Sequence, residues 1–133
     1  MTPSTVSREA RRRDDQGSAT AEFVMLGTLV VLIAIGLVQL VLALHVRNVL
    51  LSSAQEGARH AAAADRAPAD GASRALEVAG ASIPGVSAAA SAEAITVAGA
   101  PAVSVTVSAP VPVLGWWGPA DIDVTARALE EQT

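Results

Sequence analysis

Polar and apolar positions divide the chain into stretches with different periods. From Phe23 to Leu44, FVMLGTLVVLIAIGLVQLVLAL, there is no period at all: no residue is charged, and only Thr28 and Gln39 are polar. As a helix this run spans about 30 Å, the thickness of a bilayer's hydrocarbon core. It predicts a transmembrane helix, because the rest of the chain is too small and polar to enclose a helix that is apolar all round. The run also exceeds the roughly 7–15 residues of a secretory signal's apolar region. From His45 to Ala64 the period becomes helical. Val46, Val49, Leu50, Ala54, Gly57, Ala58 and Ala61 recur at i, i+3, i+4 spacing, with Arg47, Asn48, Ser52, Gln55, Glu56 and Arg59 opposite. The membrane helix is therefore expected to continue outside the bilayer, about 40 residues in all, with Glu56 pairing with Arg59 or His60 one turn along.

From Ala94 the period is two. Ile95/Val97, Val103/Val105/Val107 and Ile122/Val124/Ala126 alternate with polar or small residues, which predicts three antiparallel strands, each with one buried face. Gly99-Ala100-Pro101 reads as the connector between the first two strands. Pro110 and Pro112 end the second or confine it to an edge. Before the strands, Asp65–Gly71 is a breaker in which Pro68 ends the long helix and Gly71 permits a turn. Ala72–Ala79 reads as a short helix with Ala72, Ala75, Leu76 and Ala79 on one face, Ile83-Pro84-Gly85 as a turn, and Val86–Ala92 fits no single element. The expected fold is α+β and membrane-anchored: a long N-terminal transmembrane helix extending outside, then a small antiparallel three-stranded sheet. Residues 65–133 form the outer module, and residues 18–64 the helix.

Charge sets the orientation. Arg8, Arg11, Arg12 and Arg13 precede the span, and the positive-inside rule keeps that end in the cytoplasm and the C-terminus outside, a single pass of the cell membrane. Met1–Gln16, polar and without periodicity, is expected to be a disordered leader. Glu22 stands against the apolar run, where a carboxylate is costly except that a helix N-terminus favours an anion. Within the span Thr28, Gly36, Gln39 and Ala43 fall near one face, small and polar, suited to packing against another membrane helix.

The whole chain has 133 residues and a net charge of −4, which opposes nucleic-acid binding. Aromatic residues make up only 2%, so the module buries few large side chains and is expected to depend on partners. Both tryptophans, Trp116 and Trp117, sit in the loop Leu114–Pro119, where they either contact a partner or the membrane surface or cap the sheet. Catalytic material is sparse. There is no cysteine, His45 and His60 lie too far apart on one helix to share a metal, and Asp121 and Asp123 share a strand face with Arg127 as a solvated edge. No phosphate loop, nucleophile elbow or zinc-protease motif occurs. The reading is a non-enzyme with no cofactor, no metal and no small-molecule substrate.

The basic leader, then Gly17-Ser18-Ala19-Thr20-Ala21-Glu22-Phe23, then the apolar helix resembles the processing site of Flp-type prepilins. Gly36-Leu37-Val38-Gln39-Leu40, Val46-Arg47-Asn48-Val49-Leu50 and Ala54-Gln55-Glu56-Gly57-Ala58-Arg59-His60-Ala61-Ala62 extend the likeness to the TadE-like family, minor pilins or pseudopilins of tight-adherence (Tad/Flp) pilus systems. The chain departs from it at Gly27-Thr28, where relatives often carry a proline, and near Gln39, where they often carry an acid. The resemblance implies a pilin-like fold and cleavage of residues 1–17 by a prepilin peptidase between Gly17 and Ser18. It implies an assembly role for Glu22 and Phe23, with Glu22 attracting the N-terminal amine of a neighbouring subunit. The implied partners are the lipid bilayer, other pilin-like subunits and Tad membrane assembly proteins. An alternative is an unprocessed, signal-anchored surface protein that binds an envelope partner, which needs neither Gly17 nor Glu22.

Overall fold

Helix α1 runs from Val6 to Ala62, 57 residues, in the computed structural model, which describes residues 6–63, 65–111 and 120–130, with side chains from Gly17 onward. The apolar run and the helical-period run are one helix, as their shared lack of proline allows. Residues 6–16 differ from expectation: they are helical, not disordered. No proline or glycine lies between Val6 and Gly17, arginine, alanine and glutamate are strong helix formers, and the adjoining helix supplies the nucleus a short peptide lacks.

The chain divides into two compact units, Met1–Val38 and Gln39–Thr133. In the first, the side chains that follow Glu22 are exposed on every side, Phe23 at 77% and Val38 at 68%. The most apolar window has a mean hydropathy of 2.7 and is only 6% buried. A soluble core helix would be covered; this one is uncovered and is long and apolar enough to cross a membrane.

The second unit packs the outer part of α1, helix α2 and a three-stranded sheet around one core. The helical-period stripe is the buried side of α1: Val46, Leu50, Ala54, Ala58 and Ala61 join the core, while Arg47, Asn48, Ser52, Gln55 and Arg59 are exposed. Pro68 begins a helix rather than ending one. α2 spans Pro68–Ser82, longer than the expected 72–79, with the proline in a first turn that needs no N–H. Asp70 accepts a hydrogen bond from the Ala67 N–H at 3.0 Å, which caps the start. Gly71, Ala75 and Ala79 face inward, while Leu76 remains 37% exposed. Gly71 therefore makes no turn; it lies within α2 against Gly57 and Ala61 of α1.

The strands are β1 (Ala89–Val97), β2 (Ala100–Val111) and β3 (Ala120–Leu129), in the order β1-β2-β3 and antiparallel throughout. β1 takes in most of the unassigned 86–92 stretch. The β1–β2 connector is Ala98-Gly99, not Gly99-Ala100-Pro101: both residues have positive φ, 51° and 84°, and Val97 pairs with Ala100. That is a two-residue turn of the primed kind that matches strand twist. Pro110 lies inside β2, the central strand, but β1 pairing stops at Ser108, so the proline costs no hydrogen bond on that side.

The register also corrects a face assignment. Val103, Val105 and Val107 point to the helices with Val124 and Ala126. Ile95 pairs with Ala102 and Val97 with Ala100, so both lie on the opposite, outer face. The helix side of β1 is filled instead by Ala90 and Ala92, half-buried against the core.

Strand direction follows from the connections. Gly71 meets Gly57 and Ala61 while Ala75 meets Gly57, so α2 runs antiparallel to α1. A turn closed by the Val86 N–H to Ile83 O bond ends α2, and β1 starts three residues later. β1 and β3 therefore lead away from the end of this unit where Gln39 lies, and β2 returns to it. The buried stripe of α1 runs from Val46 to Ala62, about 24 Å.

Candidate functional site

Three groups of residues are candidates: the segment around Gly17, the small and polar face of α1 within the apolar run, and a charged cluster where α1 meets α2. Gly17, Ser18, Glu22 and Phe23 all lie within α1 and are exposed. Ser18 and Glu22 are four apart, one above the other on the same helix side. Among the described residues nothing lies within 4 Å of where a Cβ on Gly17 would be, and Glu22 has no ion-pair or hydrogen-bond partner there. The Gly17–Ser18 peptide bond lies within α1, where glycine, about 1 kcal/mol poorer than alanine in a helix, makes local unwinding easier.

The four residues of the small and polar face divide between the units. The Thr28 hydroxyl donates to the Val24 carbonyl at 2.8 Å, so its proton is satisfied within its own helix. Gly36 is open, with nothing within 4 Å of where a Cβ would be. Gln39 is half-buried, and Ala43 packs against the core of its own unit.

His60, Arg66, Asp70, Ser73, Arg74 and Glu77 line a polar depression of about 270 Å3. Glu56 pairs here across the helices with Arg74, at 3.7 Å, rather than with Arg59 or His60. The long-range contact wins because α2 packs close enough to bring a second cation within reach. Arg74 also donates to Glu77 at 2.9 Å; that bond first, and Glu56 less, hold its guanidinium more firmly in the charged form. Arg66 bonds the His60 ring at 2.7 Å, and Asp70 is spent on capping. Arg74 thus pairs with both Glu56 and Glu77, and its pair with Glu56 ties α2 to α1. Among the described residues no three metal-ligating side chains converge.

Sequence patterns did not reveal the Gly57–Gly71 contact or the Glu56–Arg74 pair. The signal for the first was the spacing Gly71, Ala75, Ala79 facing Gly57 and Ala61. Trp116 and Trp117 lie outside the described residues.

No curated protein and no solved structure matches the chain. The family model described as TadE-like protein matches residues 17–59. The match begins on Gly17, holds Glu22 and the apolar run, and ends on the buried stripe of α1, before α2 and the sheet. Over residues 17–59 the chain is similar to the TadE-like family.

Proposed function

We propose that the chain is a minor pilin-like subunit, a pseudopilin, of a Tad/Flp-type pilus, acting by assembly and not by catalysis. The observation that supports it is a TadE-like segment starting on Gly17, with Glu22 five residues on and an exposed apolar helix immediately after. In this reading the arginine-rich end stays in the cytoplasm, the sheet module lies outside, and a prepilin peptidase cuts between Gly17 and Ser18. The new α-amino group then sits one helical turn from Glu22. A carboxylate and an amine at the edge of hydrocarbon are each costly alone, and pairing between neighbouring subunits offsets part of that cost. Phe23, Thr28, Gly36 and Gln39 face other pilin-like helices or Tad assembly proteins in the bilayer.

Glu22→Ala tests the role. The variant should reach the membrane in normal amount and fail to support pilus assembly. Full piliation by the variant would exclude Glu22 from assembly and favour a plain signal anchor.

A further inference from the structure

Both outer strands of the sheet are edges among the described residues, and each leaves one row of backbone donors and acceptors unpaired. On the outer face the register sets residues in rows across the sheet. Ile95, Ala102 and Leu129 form one row, Glu93, Ser104 and Arg127 the next, and Ser91, Thr106 and Thr125 the third. Each row ends in matching chemistry at its two edges: apolar with apolar, acid with base, hydroxyl with hydroxyl. Arg127, Glu93, Thr125 and Ser91 are exposed, and Leu129 is 60% exposed.

We propose that copies of this chain associate side by side in the membrane, β3 of one against β1 of the next. Continuing the sheet by one copy brings Leu129 to Ile95, Arg127 to Glu93 and Thr125 to Ser91 at the same level. Asp123 then meets Ala89, so no like charges oppose. On the helix side the meeting residues are Val124, Ala126 and Ala128 against alanines, which leaves room for close approach.

Direction decides against the other pairing. β1 and β3 both lead away from the end of the module where α1 enters. Modules lying side by side in the same orientation run β1 and β3 parallel. Antiparallel pairing of β3 with β3 needs one module turned over relative to the other. The contact is head-to-tail and leaves a free edge at each end, so it builds open rows rather than closed dimers. This inference rests on α1 being a membrane anchor, not on processing at Gly17.

The chain has no cysteine, which makes cross-linking direct. Ser91→Cys and Thr125→Cys together, in the full-length protein in membranes, should give an oxidative ladder of dimers, trimers and larger species. Either substitution alone should give none. Within one chain the two positions lie on either side of β2, about 10 Å apart, beyond disulfide reach. Adding Glu93→Arg should abolish the ladder, and adding Arg127→Glu as well should restore it. Alkali-resistant protein without a ladder, a ladder indifferent to Glu93→Arg, or dimers from Thr125→Cys alone would each overturn the edge pairing. Release of the protein by alkali would overturn the anchor instead, and the shared orientation with it.

Discussion

Gly57 and Gly71 bring the backbones of α1 and α2 into contact. A Cβ on Gly57 would fall on the Gly71 carbonyl oxygen, and one on Gly71 would stand 2.7 Å from the Gly57 carbonyl oxygen and 2.6 Å from the Ala61 methyl. The obstacle at each position includes backbone, which cannot rotate away.

Gly57→Ala and Gly71→Ala should therefore destabilise the module. Alanine is favoured over glycine in a helix by about 1 kcal/mol, but overpacking of this kind costs about 1–3 kcal/mol, and the loss should win. Gly80→Ala is the control: it lies in α2 with nothing within 4 Å, so only the propensity gain remains. Thermal unfolding of the full-length protein in detergent should show lower melting temperatures for the first two and a higher one for the third. A rise in all three would mean that the helices are not in backbone contact.

The β1–β2 turn gives a second pair of opposite signs. Ala98 sits at φ 51° and Gly99 at φ 84°, a region that costs a residue with a Cβ about 1 kcal/mol. Ala98→Asn or Ala98→Gly should stabilise by up to about 1 kcal/mol, and Gly99→Ala should destabilise by a similar amount. Denaturant midpoints of the three variants check this.

Leu32 tests the anchor. It lies in the exposed apolar band of α1, 61% exposed. Leu32→Arg places a charge near the centre of the span, at about 2.5–3.5 kcal/mol on insertion scales. The variant should shift from the alkali-resistant membrane fraction toward the soluble fraction or be degraded. Unchanged membrane retention would mean that α1 is not the anchor.

The long helix was legible because each of its two halves has a clear signature: no charge over Phe23–Leu44, then a stripe every three or four residues that the structure buries except at Val49, which is half-buried. The helix–helix contact was not, because Pro68 can stop one helix or start another, and only the cap at Asp70 decides between them. The face of β1 was hidden for a different reason. Its core side is alanine, while its two large apolar residues, Ile95 and Val97, point outward. A strand with small residues on the buried face does not encode its own phase, and a one-residue shift moves every side chain across. Around Gly17 the spacing to Glu22 and the following apolar run were visible directly, and the TadE-like match covers them. The Glu56–Arg74 pair joins two elements and leaves no mark in either alone.

The proposed pilin-like role turns on cleavage between Gly17 and Ser18. N-terminal sequencing of the protein recovered from membranes, beside a Gly17→Ala variant, reads that cleavage. The expected result is a mature chain beginning at Ser18 and a variant that keeps its arginine-rich leader. A parent chain that also keeps Arg11-Arg12-Arg13 would contradict it and leave an unprocessed membrane anchor in its place.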